Sequence, residues 1–263
     1  MAGALPALHD TGDGSVVLFL HAFPLDGSQW DHQVAALSGR FRCVRPDYWG
    51  CGSSPEPPDG EPSLDAYAAA VLAALDETGI DSFHAVGSSM GGYVIFALLR
   101  QARGRVLSLV LANTRARADG DEVRAGRHAL AERVVLEDSV ESIVEPNVSR
   151  LLSPLSQREV HVADPVRGRI RRCAPAGVAH AARAMAARPD STQQLADISA
   201  PALVVAGEED AAVPLADIEA LAAGIPGAKL VTMGCGHLSN LEDPALFTEH
   251  VRRFLEALTP VAV

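Results

Sequence analysis

Six short apolar runs recur along the chain, spaced widely enough to hold a helix between most of them. Val16–His21, Phe41–Pro46, Phe83–Gly87, Val106–Ala112, Ala202–Gly207 and Lys229–Met233 read as strands. Several, such as VVLFL and SLVLA, are apolar without alternation. Strands read that way when both faces are covered, as in a parallel sheet flanked by helices. Leu64–Asp76 has apolar residues at helical spacing, with Ser63 suited to cap its start and Gly79 to end it. Gly91–Arg100 is apolar nearly all round and predicts a buried helix. A last helix is predicted from Pro244 to about Leu258. Strand–helix alternation of this kind predicts an α/β fold with a mostly parallel central sheet and helices on both faces.

From about Thr114 to Asp197 the alternation stops. Ala125–Leu136, Val140–Leu152 and Val178–Ala187 read as amphipathic helices, broken by Pro146, Pro154, Pro165, Pro175 and Pro189. The chain has 263 residues, which suits one large core with an insertion better than two independent domains. The expected division is a core of residues 1–113 and 196–263 with a helical cap, or lid, over residues 114–195.

Composition narrows the function classes. Hydrophobic residues make up 48% and charged residues 21%, as in ordinary globular enzymes. The net charge of -11 opposes binding to nucleic acid or anionic membranes. Lys229 is the only lysine, and 13 arginines fall between Thr114 and Asp190 against 11 acids there. Solvated helix faces are the usual meaning of such charges, and one cap arginine reading a substrate carboxylate is the functional alternative. Met1–Gly14 lacks a basic stretch followed by an apolar run, so it does not read as a signal peptide. No apolar segment approaches the ~18 residues of a membrane span. Cys43, Cys51, Cys173 and Cys235 lack CxxC spacing and are expected as free thiols in a reducing, cytoplasmic compartment. The histidines show no HxxxH-type pairing and no glycine-rich phosphate loop follows a strand, so neither a metal nor a cofactor is expected.

Gly87-Ser88-Ser89-Met90-Gly91 carries the strongest chemical signal. It follows the strand FHAVG and precedes the helix GGYVIFALLR, the setting of a nucleophile elbow. The sharp turn exposes Ser89 at the sheet edge and at a helix N-terminus, where the dipole favours negative charge. A serine hydroxyl needs a base. His237, in Gly234-Cys235-Gly236-His237 between the last strand and the last helix, is the candidate. The base needs an anion to fix its tautomer, and Asp210 in Gly207-Glu208-Glu209-Asp210 is favoured because it lies furthest past its strand. Glu208 and Glu209 compete for that role, although solvated loop acids are their usual reading. Oxyanion donors are expected from the Met90 and Phe23 backbone N–H groups. His21 is expected to support the loop. Phe23, Trp49 and Met90 are expected to contact substrate, while Trp30 is at least as well suited to the core.

HAFPLDGSQW, RPDYWGCGSS, VGSSMGG, VVAGEEDAAVP and GCGHLSNLEDP together resemble the α/β-hydrolase fold, in its small capped group of carboxylesterases, 3-oxoadipate enol-lactonases and cofactor-free haloperoxidase-like enzymes. The order Ser, Asp, His is that of this family. The resemblance implies a catalytic triad of Ser89, Asp210 and His237 that cleaves a small ester or lactone through an acyl-enzyme. Enol-lactonase-like lactone hydrolysis and cofactor-free perhydrolysis would use the same residues. A ligand-binding protein that keeps the fold is the non-enzymatic alternative. Ala22 stands where the family usually has glycine, and the short N-terminal segment implies a sheet without its first strand. The expected partner is a small molecule, and the expected assembly a monomer or small homo-oligomer.

Overall fold

The structure is a computed structural model that describes residues 5–258; the outermost ends of the assigned core, and the start of Met1–Gly14, lie outside the described residues. Among them, seven strands form one sheet: β1 (Leu8–Thr11), β2 (Ser15–Leu20), β3 (Phe41–Pro46), β4 (Phe83–Ser88), β5 (Val106–Ala112), β6 (Ala202–Gly207) and β7 (Lys229–Met233). Their spatial order is β1-β3-β2-β4-β5-β6-β7. β1 runs antiparallel to β3, and every other neighbouring pair is parallel. Four predicted strands have the observed bounds; the first and third differ by one residue. β1 was not predicted: its LHDT is a four-residue, half-exposed edge strand without an apolar run.

Helices cover both faces. They are α1 (Asp31–Leu37), α2 (Leu64–Glu77), α3 (Met90–Ala102), α4 (Asp121–Leu136), α5 (Glu141–Leu151), α6 (Val160–Arg171), α7 (Pro175–Ala186), α8 (Leu215–Gly224), α9 (Ser239–Glu242) and α10 (Pro244–Leu258). Along β2, Leu18 and Leu20 join the core under α2 and α3, while Val17 and Phe19 pack with Trp30, Phe247 and Val251 under α1 and α10. Two apolar cores on opposite faces are why the strand sequences show no alternation. The Ser63 hydroxyl caps α2, accepting from Ala66 N–H at 3.1 Å.

α4 to α7 lie between β5 and β6, within the segment where alternation stops. Two expectations fail here. Pro146 and Pro165 lie inside α5 and α6 and do not break them. Each removes one backbone hydrogen bond, but burial of Ile143, Val144, Val148 and Leu151, and of Val162, Val166 and Ile170, offsets that loss. The second correction concerns the thiols. Cys51, after β3, and Cys173, between α6 and α7, form a disulfide that ties the insertion to the core across 122 residues of chain. No local spacing marks such a pair, because the insertion alone brings the two together. Cys43 and Cys235 stay free and buried, and burial pushes both thiols up to about 12. The bridge closes a long loop and should stabilise by about 2–4 kcal/mol. Calorimetry with dithiothreitol is therefore expected to show Tm lowered by roughly 5–15 °C; an unchanged Tm would count against the bridge.

Buried imidazoles set a pH dependence. His84 sits between Ser108 Oγ at 2.8 Å and Ser15 Oγ at 3.2 Å, and burial lowers its pKa. Burial likewise lowers His180, with Arg183 adding to the effect, and it lowers His21. Unfolded, these groups take up protons near pH ~6.5; folded, they do so only at lower pH. Their stability is thus fully present above about pH 6.5 and is lost as pH falls towards the folded values. Tm is expected to drop between about pH 7.5 and about pH 5.5; a Tm that rises on acidification would contradict this.

Candidate active site

Four neighbouring strands deliver the site residues to one edge. Ser88 lies opposite Ala112, Ala112 opposite Val205, and Gly207 opposite Met233. The segments that follow bring Ser89, Asn113, Asp210 and His237 out at the same C-terminal edge of the sheet.

Ser89 has φ 54° and ψ -113°, a strained backbone that links β4 to α3 in a single residue. Its N–H donates to Ala112 O at 2.9 Å, and the Thr114 hydroxyl donates to Ser89 O at 2.8 Å, which holds the turn from both sides. The two glycines serve packing. A Cβ on Gly87 would come within 2.6 Å of the Gly91 carbonyl carbon, and one on Gly91 would overlap the Leu20 carbonyl. α3 can therefore cross β4 and β2 closely only over bare backbone. Ser89 remains half-buried, while its helix neighbours are buried.

His237 Nδ1 lies 2.7 Å from Asp210 Oδ2, with side-chain exposures of 2% and 1%. Asp210 Oδ1 accepts from the Ala212 and Val213 amides at 2.8 and 2.9 Å, and Oδ2 also accepts from Asn113 Nδ2 at 3.0 Å. Burial alone would raise this carboxyl; the His237 charge, its hydrogen bond, and the Val213 and Asn113 donors bring it below the ordinary carboxylate range. An ionised Asp210 is an acceptor only, so it assigns the proton to His237 Nδ1. Glu208 and Glu209 are exposed and take no part in this pair.

His21 is the loop support expected of it. Its Nε2 accepts from Tyr48 N–H at 2.9 Å and its Nδ1 donates to Ala22 O at 2.9 Å, joining the loop after β2 to the loop after β3. Gln29 Oε1 accepts from Ala22 N–H at 2.7 Å. Among the described residues, neither the Phe23 nor the Met90 amide donates to a protein acceptor. A cavity of about 340 Å³ opens beside this loop, lined by Phe23 and by Val123, Arg127, Leu130, Asn147 and Arg150 of the insertion. Trp49 and Met90 do not line it. Trp49 packs on Tyr67 and His180 at ring separations of 4.8 and 5.7 Å, and Met90 is buried at the start of α3. Trp30 is core, against Phe19 and Phe247.

Asn113 was missed. It is fully buried, with φ 49°. Its Nδ2 also donates to Gly236 O at 3.3 Å, and its Oδ1 accepts from the Ser239 hydroxyl at 2.7 Å. One amide thus ties the Asp210 loop to both sides of His237. The one hint in the sequence is an asparagine just past a strand, where its tolerance of left-handed backbone suits a turn. Asn113→Gly keeps that backbone and removes the amide. It is expected to lower kcat roughly 10- to 100-fold through misplacement of the pair, with KM little changed. Steady-state kinetics on a p-nitrophenyl ester checks this, and a wild-type kcat would refute it.

Comparison with known proteins agrees with this fold. The family model described as alpha/beta hydrolase fold matches residues 15–244. The chain is 27% identical over 242 residues to 3-oxoadipate enol-lactonase 1 of Acinetobacter baylyi, covering 92% of this chain and 89% of that one. A thermophilic esterase from Thermogutta terrifontis, solved with malate bound, superposes with TM-score 0.93 at 37% identity, covering 97% and 94% of the two chains. The enol-lactonase from Burkholderia xenovorans LB400 superposes with TM-score 0.89 at 29% identity, covering 97% of each chain.

Proposed function

Since the chain belongs to the alpha/beta hydrolase family, we propose that it is a serine hydrolase that cleaves a small carboxylic ester or lactone. The observation that carries the reading is the buried His237–Asp210 pair, 2.7 Å apart, on the sheet edge that also presents the strained Ser89. Similarity to esterases and enol-lactonases supports it.

In this reading Ser89 Oγ attacks the substrate carbonyl carbon while His237 Nε2 takes the hydroxyl proton. Asp210 holds Nδ1–H and balances the imidazolium charge. The carbonyl oxygen becomes an oxyanion, which the Met90 and Phe23 amides would receive at the N-terminal end of α3. The tetrahedral intermediate collapses, His237 returns the proton to the leaving alkoxide, and the acyl group stays on Ser89. Water, deprotonated by His237, then repeats the sequence and frees the acid and Ser89. No step needs a metal or a cofactor. We treat α4–α7 as a cap over this edge, because the insertion supplies most of the cavity lining. A small-molecule substrate follows from the cavity size. Among the described residues no helix is long and apolar enough to cross a membrane. A cytoplasmic setting belongs to the proposal, now without the support of four free thiols.

Stopped-flow mixing with p-nitrophenyl acetate tests the reading. A burst of p-nitrophenol close to one equivalent per protein, followed by slower turnover, is expected when deacylation is the slower step. Negligible turnover, with ligand binding indifferent to Ser89→Ala, would favour a binding protein on this fold.

A further inference from the structure

The loop that offers the Phe23 amide is held from two sides. From the core, Gln29 Oε1 accepts from Ala22 N–H and Asp47 Oδ1 accepts from Gly27 N–H, each at 2.7 Å. From the insertion, the last turn of α6 reaches the same loop. Arg169 donates from Nε to Ser28 Oγ at 3.0 Å and from Nη2 to Ser28 O at 2.8 Å. Arg172, just past α6, donates from Nε to Asp26 Oδ2 at 2.8 Å and from Nη2 to Ser28 Oγ at 2.9 Å. Asp26 in turn accepts from Ser28 N–H at 3.0 Å and caps the helical turn at Gly27–Trp30. Cys173, the next residue of the insertion, is bridged to Cys51, and its sulfur lies 3.4 Å from Leu25 O.

The two arginines differ in surroundings. Arg172 is exposed, and a pair of that kind contributes little. Arg169 is only 8% exposed, and Asp26 and Asp31 act on it through space rather than by contact. A buried guanidinium costs free energy unless its N–H groups are satisfied, and here Ser28 satisfies two of its nitrogens. An apolar side chain could fill the same space without that cost. What the arginine adds is a pair of directed contacts that hold Ser28 in one place. Ser28 lies five residues past Phe23, and between them Leu25 N–H returns to Ala22 O at 3.0 Å. So short and cross-linked a segment passes a shift at Ser28 on to Phe23. An oxyanion donor stabilises charge only when it is already aimed at the oxygen.

We propose that Arg169 is a positioning residue for the oxyanion loop: through Ser28, α6 of the insertion sets where the Phe23 N–H points. The proposal rests on the acyl-enzyme reading of Ser89. Its test compares two ketones of matched length, 1,1,1-trifluoroheptan-2-one and heptan-2-one, as inhibitors. Ser89 Oγ adds to the carbonyl carbon of the first, its proton passes to His237 Nε2, and the carbonyl oxygen becomes an oxyanion; the second binds without that step. Arg169→Met is expected to weaken inhibition by the fluorinated ketone roughly 10- to 100-fold and to leave heptan-2-one within about twofold. On p-nitrophenyl acetate kcat should fall by a similar factor with KM little changed, because both acylation and deacylation pass through an oxyanion. Arg169→Lys keeps one donor for Ser28 O and should recover part of the loss. Arg171→Met, on the same helix but exposed and paired with Glu141, should change neither inhibitor. Ser28→Ala removes one acceptor, and its loss combined with Arg169→Met should fall short of the product of the two. Equal weakening of both ketones, or a lower Tm with the fluorinated ketone still bound tightly, would make Arg169 a structural prop and overturn the proposal. If Arg169→Met does not fold, unchanged binding of the fluorinated ketone in both Arg169→Lys and Ser28→Ala would overturn it as well. Failure of the nucleophile reading would appear separately, as a wild type whose preference for the fluorinated ketone survives Ser89→Ala.

Discussion

Ser89→Ala is expected to lower kcat on a small p-nitrophenyl ester by about four to six orders of magnitude, with the fold intact. The size follows from the role. Without the hydroxyl no acyl-enzyme forms, and the burst of alcohol disappears along with steady turnover. Only the oxyanion donors and substrate binding remain, and these sustain a small residual rate. The fold should tolerate the change, because Ser89 is held through its backbone, by Ala112 O and the Thr114 hydroxyl. Its side chain makes none of those contacts. Strain at φ 54° costs alanine about what it costs serine, so a Tm within a few degrees of wild type is expected. Circular dichroism separates a folded, inactive variant from an unfolded one. Activity within tenfold of wild type in the folded variant would contradict the role.

Asp210→Asn comes next, with a loss of about four orders of magnitude in kcat. The hydrogen bonds dictate why. The Ala212 and Val213 amides both point at Oδ1, so the asparagine oxygen must stay there. Its NH2 then occupies the Oδ2 position, facing His237 Nδ1 and Asn113 Nδ2. His237 can accept that hydrogen bond only by moving its own proton to Nε2, the nitrogen that must receive the serine proton. Binding of substrate should change far less than kcat. Asp210→Glu, longer by one methylene, cannot meet the two loop amides and His237 together and should not restore the rate. Steady-state kinetics checks both variants, and a wild-type kcat in Asp210→Asn would assign the acid elsewhere.

Legibility in the sequence followed burial. Phe41–Pro46, Val106–Ala112 and Ala202–Gly207 were readable to the residue, because a run covered on both faces has a sharp composition and sharp ends; Lys229–Met233 was readable to the residue too, although it is a mostly exposed edge strand. β1 was not, since a half-exposed strand of four residues draws its order from β3 rather than from its own side chains. Pro146 and Pro165 misled for a related reason: local propensity speaks against a helix, and the packing that overrides it is tertiary. Ser89, Asp210 and His237 stood out because each follows a recognisable strand and its chemistry restricts the residue type. Asn113 carries no chemistry of its own and acts only through Asp210, Gly236 and Ser239, so nothing local singled it out. Cys51 and Cys173 were hidden likewise, since only the docking of the insertion on the loop after β3 pairs them.

Ser89 as an activated nucleophile is tested most directly by labelling with a fluorophosphonate, followed by intact-mass measurement and peptide mapping. One adduct per chain, on Ser89 and absent from Ser89→Ala, is the predicted result. A folded protein that takes no label, or takes it on another residue, would contradict the assignment of Ser89, Asp210 and His237 as a catalytic set.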